Sequence, residues 1–537
     1  MFTERIKTIM LRPILIGLLS FALCPLSISQ TMVYLERAEH LNFDQERIAD
    51  AQILKGNVVF RHEEALMYCD SAYFYEKTNS LDAFGHVRFE QGDTLEGFGD
   101  KLYYDGNTKL ARMRQNVKLI HGRADENPTV VTTDTLNYDR AAGIAYYYSG
   151  GEIQDSLNTL VSVEGNYRPK TKQAIFSREV RLTNPKFILT SDTLWYNTET
   201  KVTDFVSPTV IVYEEETTIY SSNGWYNTET EQSMLLDRSL VVHADGKTMT
   251  GDTIYYDKSI GYGRVLGRME MRDSVQQATL YGEYGEMWEE GSRGYATDSA
   301  LMVDWSDTAH LAYIHADTLF TEELHYEDSA LMDSTYYRVK GYYGVRVYRD
   351  DVQMVCDSMV YLGSDSTIHL YKDPISWSEN QQFSSDSMIV FIVNGTVEHT
   401  LGIGKAFCVM YDSLDYYNQM SGKELTAYLT DGEVHTVDMS GNARTVYYPK
   451  EDDGEYVGLN TTQSSFIRSY VENQEIRRMR FTKETTGVLY PMDQVPEGAD
   501  RLEGFFWEIE SRPTDPMDVF RKVELRSEGD RSEGVEE

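Results

Sequence analysis

Apolar and polar residues alternate along most of this chain. In Gly85-His86-Val87-Arg88-Phe89 the apolar side chains fall at every second position, and in Asp100-Lys101-Leu102-Tyr103-Tyr104 they fall so again at Leu102 and Tyr104. A period of two puts Val87 and Phe89 on one face of a strand and turns His86 and Arg88 to the other. Both half-units recur. Gly56-Asn57-Val58-Val59-Phe60 precedes Asp70-Ser71-Ala72-Tyr73-Phe74, and Asn116-Val117-Lys118-Leu119 precedes Asp134-Thr135-Leu136-Asn137-Tyr138. Further copies begin at Asp192, Asp252, Asp317, Asp357 and Asp386, with a decayed one at Asn223. From Asp70 the steps to Asp100, Asp134 and Glu164 are 30, 34 and 30 residues, a period that predicts a repeat architecture.

The expected fold is therefore all-β, an elongated solenoid-like stack in which every strand has one apolar and one polar face. With two strand layers per period and neighbours about 4.8 Å apart, the stack is a rod on the order of 100 Å long with open edge strands at its ends. The Asp that opens the second half-unit is expected in a turn, its carboxylate taking backbone amides just before the strand. The repeats divide into residues 30–261 and 343–445. Between them, at 262–342, Gly282, Gly285, Gly291 and Gly294 among aromatics suggest an irregular joint. A C-terminal segment follows at 446–510, with its basic charge concentrated over 464–480, and an acidic tail at 511–537 is expected to be disordered.

Composition narrows the function. The 537 residues include 39 Tyr and only 12 Pro, and 50 Lys and Arg stand against 86 Asp and Glu, a net charge of −36. A charge of that sign spread along the chain argues against nucleic-acid binding, which needs clustered cations. Arg5, Lys7 and Arg12 precede an apolar run from Ile14 to Leu26 and then Ser27-Ile28-Ser29, the pattern of an export signal over residues 1–29 cleaved near Ser29/Gln30. Cys69, Cys356 and Cys408 are too few and too scattered for a disulfide framework; Cys69 and Cys356 each stand just before a repeat Asp, as small buried residues would.

Catalytic signatures fail one by one. Gly246-Lys247-Thr248 has Val241 where a phosphate loop needs its first Gly, and His62-Glu63-Glu64 reaches Leu66 where a zinc-protease helix needs His. There is no Gly-x-Ser-x-Gly elbow. Neither an enzyme nor a cofactor or metal site is expected.

Leu54-Lys55-Gly56-Asn57-Val58-Val59-Phe60 followed by Met67-Tyr68-Cys69-Asp70-Ser71-Ala72-Tyr73-Phe74-Tyr75 resembles the OstA-like family, most clearly over residues 50–140 and more weakly to about 445. The resemblance implies a V-shaped β-jelly-roll that carries lipopolysaccharide through the periplasm to the outer membrane. It implies lipopolysaccharide or lipid A as ligand, other transport proteins as partners through edge-strand pairing, and head-to-tail self-association. Carried over by repeat position, the implied lipid lining is Val58, Phe60, Ala72, Phe74, Val87, Phe89, Leu102, Tyr104, Val117, Leu119, Leu136 and Tyr138. The chain lacks a sequence that reads as a C-terminal membrane barrel. Two readings stay open: an apolar groove accessible from the side that shelters acyl chains, or the filled core of a structural or adhesive β-solenoid.

Overall fold

The computed structural model describes residues 31–523 except 45–47, 49, 123, 126, 215, 327–333 and 452, so the expected export signal lies outside the described residues. The building block is a strand bent in the middle. Four illustrate it: β1 (Gln52–His62), β2 (Ala65–Tyr75), β3 (Ser80–Gln91) and β4 (Leu95–Asp105). β1 and β2 pair from Gln52↔Phe74 to Lys55↔Ser71 and again from Val58↔Cys69 to His62↔Ala65. Between those stretches Gly56 and Asn57 face Asp70 alone, the two-against-one count of a β-bulge, which bends a ladder.

The bend needs unusual backbone. Gly85 and His86 of β3 are both left-handed, at φ +76° and +41°, and consecutive left-handed pairs recur at Gly56–Asn57, Gln115–Asn116, Arg178–Glu179, Gly267–Arg268, Lys372–Asp373 and Gly404–Lys405. Gly suits the first position because it alone reaches positive φ without steric cost. At Gly85 a Cβ would also come within 2.5 Å of Asp70 Oδ2. The repeat unit is thus one hairpin of two bent strands.

Bent strands stacked in register give two continuous walls meeting along a crease. The lower wall holds half-strands such as Ser71–Tyr75 and Lys101–Asp105, the upper wall those such as Val58–His62 and Val87–Gln91. Connection is by meander: each strand pairs antiparallel with its sequence neighbours, to Glu475–Thr482 at the far end of the lower wall and Thr486–Tyr490 at the far end of the upper. Among the described residues sixteen strands run unbroken through the crease and twelve are split there. About 28 bent strands at roughly 4.8 Å each make a rod on the order of 130 Å long. The predicted all-β, elongated, V-shaped stack is the observed one.

Three expectations change. The repeat Asp is not a turn residue: Asp70 and Asp100 sit mid-strand on the outside of the crease, where Asp70 takes His86 Nδ1 at 2.7 Å and Asp100 takes Asn116 Nδ2 at 2.7 Å. Arg268 embraces Asp252 at 2.6 to 3.1 Å, and Lys372 pairs with Asp357 at 2.9 Å. The acid is placed to face the left-handed corner of the next strand, so a local turn motif and a long-range pair share one signature. The joint expected at 262–342 keeps the repeat geometry where described, because Tyr262–Asp273 and Ala278–Trp288 pair on both sides of the same kind of bulge, between Leu266 and Met269, and its glycines lie within strands or tight turns. The tail expected to be disordered from residue 511 is docked as far as Phe520, whose ring meets His315 at 4.7 Å. Its Ser511 and Asp518 hold the buried Arg346, and Val519 is fully buried.

That docked stretch belongs to a longer strap. From Pro491 the chain runs back over the outer face of the upper wall, covering Val446, Tyr448 and Leu459, then Val355, Ile375 and Trp377. Buried glutamines on successive strands grip its backbone. Gln419 donates to Asp500 O and accepts from Leu502 N, Gln382 donates to Phe506 O and accepts from Glu508 N, and Gln353 accepts from Arg512 Nε.

Candidate functional site

The inner faces of the two walls make one hydrophobic core running from Val33 to Ile467. All twelve predicted lining residues belong to it. Val58, Phe60, Leu102 and Leu136 are at most 1 % exposed, and the highest value among the twelve is 6 %, at Phe74. Register brings them together: Ala72 lies opposite Leu54, Leu102 opposite Ala83 and Met113, and Leu136 opposite Met113 on the next strand. The apex of the V is narrow, which explains the small residue before each repeat acid: Cys69, Gly99, Gly251 and Cys356 point into it. A Cβ at Gly251 would meet Val265 Cγ1 at 2.2 Å. All three described cysteines are buried, and burial pushes each thiol up to about 12, which leaves them unreactive packing groups.

The walls touch across the interior. Phe60 on the upper wall meets Phe74 on the lower with ring centroids 5.4 Å apart, and Phe89 meets Tyr138 edge-on at 6.0 Å. Of the two readings that the sequence leaves open, groove or filled core, this structure shows the twelve residues buried, with wall-to-wall ring contacts at Phe60–Phe74 and Phe89–Tyr138.

The side away from the crease, where the turns of each wall form a row of tips, is closed differently. The last aromatic of the repeat reaches it. Tyr104, from the lower row, accepts from Arg140 at 2.7 Å and meets His62 Nδ1 of the upper row at 2.6 Å. Tyr167 meets His121 at 2.8 Å. Tyr196 donates to Asp155 Oδ2 at 2.5 Å and accepts from Asn158, while Lys201 pairs with Asp155 at 2.9 Å. Farther along, Lys186 bonds Glu231, Ser378 donates to Gly432 O at 3.1 Å, and Asn380 donates to Gln474 O at 3.3 Å. Among the described residues every bond from one tip row to the other uses at least one side chain, whereas backbone bonds between turns, such as Gly106 N to Asn79 O and Thr198 N to Lys172 O, stay within one wall.

These latches sit in a dry setting. Burial lowers the His62 imidazole below its usual value, reinforced by Arg140 and Lys109 against the bond to Thr31 O. Burial alone would raise Asp155, but the bonds from Tyr196 and Lys201 outweigh it and hold the carboxyl below its ordinary value. Sequence patterning could place the tyrosines on the inner face; it could not show the phenols meeting groups 36 to 46 residues away, whose positions depend on the fold.

Among the described residues one group could hold a metal: ligand atoms of His310, Asp350 and Asp351 lie within 4.8 Å of one another on the upper tip row. Arg349 stands among them and already takes Asp351 at 2.8 Å. A cleft of about 410 Å³ lies at the crease beside Arg238 and Arg268, and an internal cavity of about 10 Å³ lies between Met410, Asn418 and Ser469. No described helix is long and apolar enough to cross a membrane.

The family model described as OstA-like protein matches residues 30–192. No curated protein matches the chain. The matched stretch runs from the first edge strands into Phe187–Asn197, and the same bent-strand geometry continues well past it. Residues 30–192 belong to the OstA-like family.

Proposed function

We propose that the protein is an exported OstA-like rod that carries the acyl chains of lipopolysaccharide or a similar amphiphile between its two walls, in the periplasm and toward the outer membrane. The observation that carries this reading is the unbroken apolar interior closed along one side by side chains alone. Parting the tip rows would break latches and expose core while leaving every ladder bond intact. Each methylene of a guest chain that replaces a wall-to-wall contact regains roughly 0.8 kcal/mol of burial, so a chain in the interior substitutes for the packing that opening removes. Binding and release of this kind need no catalytic group, and the reading is of a carrier, not an enzyme.

Free ladder edges suit partners of the same build. Among the described residues, Tyr34–Arg37 and His40–Phe43 at one end each pair on one side only, as do Glu475–Thr482 and Thr486–Tyr490 at the other. Strand addition there by another transport protein or a second copy would continue both walls. A second reading, a structural or adhesive β-solenoid, is favoured by the filled interior itself. A photoreactive residue at Phe89 separates them: adducts with lipid support carriage, and adducts confined to protein after incubation with lipopolysaccharide support the solid rod.

A further inference from the structure

The interior changes character toward the C-terminal end. On the inner face of the upper wall, Val58, Phe60, Val87, Phe89, Val117 and Leu119 give way to Ser378, Gln381, Asn418, Thr445, Thr462 and Ser464. Register fixes their direction: Gln381 and Asn418 both lie opposite Met410, Thr445 opposite Met420 and Ser464 opposite Ala443, all of them buried. The lower wall opposite stays largely apolar, with Leu425, Val437, Met439 and Ile467. Here the upper wall mixes these polar side chains with the buried Phe383, Cys408, Met410 and Met420, while the lower wall keeps its apolar face.

Most of these polar groups are satisfied by the protein. Ser378 bonds Gly432 O, Thr445 bonds Gln419 O and Ser464 bonds Thr482 O. Gln381 is not. It is fully buried and neither its amide nitrogen nor its amide oxygen has a partner; Ser469 Oγ, 1 % exposed, is likewise unpartnered. Ser469, Asn418 and Met410 line the cavity of about 10 Å³, room for a single water. A buried amide without partners is costly, and a Leu or Met there would fill the space without that cost.

The same wall shows what a glutamine in this setting takes. Gln382, the next residue, points outward and uses both amide groups on the strap, donating to one carbonyl and accepting from an N–H two residues on; Gln419 does the same. We infer that Gln381, paired on the upper wall with the cavity-lining Met410, is a recognition subsite for the polar linkage of an acylated ligand, with Ser469 on the lower wall as a second group: a carbonyl to accept from the Gln381 amide, and a hydroxyl or N–H a few bonds away to donate to it. Such a ligand lies with its hydrocarbon toward the apolar N-terminal lumen and its amide or ester linkage at the C-terminal end. The subsite rests on the carrier reading, since the ligand reaches Gln381 only between parted walls.

The test uses the full chain and two amphiphiles of equal length, N-hexyl-3-hydroxydodecanamide and a dialkyl ether, each displacing a polarity-sensitive lipid fluorophore. The wild type should bind the hydroxyamide about tenfold more tightly, the yield of one or two net hydrogen bonds. Gln381→Met should reduce that preference to within about twofold without weakening the ether, and Ser469→Ala should reduce it in part; circular dichroism and melting confirm that both variants fold. Equal binding of the two probes by the wild type, or an undiminished preference in Gln381→Met, overturns the subsite and leaves carriage standing. Binding of neither probe overturns carriage and the subsite with it.

Discussion

Tyr104 and His62 lie 42 residues apart in the chain, on opposite tip rows, and their side chains meet at 2.6 Å. Arg140 donates to the phenol oxygen, so the phenol proton goes to Nδ1, and Nε2 donates to Thr31 O at 3.0 Å. This geometry needs a neutral imidazole. Its folded value lies below that of the unfolded chain, so the stability from this latch is present above about pH 6.5 and is lost as pH falls through the lowered folded value. The melting temperature should fall between pH 7 and pH 5. His121, lowered by burial and bonded to Tyr167, adds to the same slope. The double variant His62→Gln/His121→Gln should flatten it.

Asp155 and Lys201 form a deeply buried charged latch, with side chains 2 % and 14 % exposed. Asp155→Asn leaves the ammonium without its counter-charge and should cost about 3 kcal/mol in chemical denaturation. Tyr196→Phe removes one bond but keeps the ring packed and should cost about 1 kcal/mol. A similar small cost for both would mean that the pair is effectively solvated.

The crease predicts a difference between two glycines. Gly85→Ala places a Cβ in left-handed backbone 2.5 Å from Asp70 Oδ2, whereas a Cβ at Gly143, also at positive φ, meets nothing within 4 Å. Gly143→Ala should cost about 1 kcal/mol for backbone alone, and Gly85→Ala clearly more. Equal losses would show that the corner can shift to admit a side chain.

The periodicity of two and the period of 30 between repeat acids made the stack, its inner face and the smallness of Cys69 legible from sequence, because each is set by near neighbours along a strand. Asp70 was misread because a carboxylate before an alternating run has the same local signature whether it caps a turn or faces a corner 16 residues on. The strap was hidden for a similar reason: nothing in the local pattern sets Gln382, Gln419 and Arg346 apart, and only the fold brings Phe506, Asp500 and Ser511 over them. Likewise, an alternating apolar face looks the same in a groove and in a filled core.

The strap should release as a unit. Gln382→Ala removes the bonds to Phe506 O, Glu508 N and Trp377 Nε1 and should cost about 2 kcal/mol. Hydrogen exchange should accelerate over residues 500–512 while Gln52–His62 keeps its protection. Uniform acceleration over the whole rod would show that strap and walls unfold together.

Carriage itself is tested most directly at Phe89. With a photoreactive phenylalanine there, irradiation in the presence of lipopolysaccharide should give a lipid adduct, and Tyr196→Phe with Asp155→Asn should raise its yield by loosening the tip rows. Crosslinks only to lower-wall neighbours such as Tyr138, at every lipid concentration and in the latch variants too, would contradict passage of lipid between the walls.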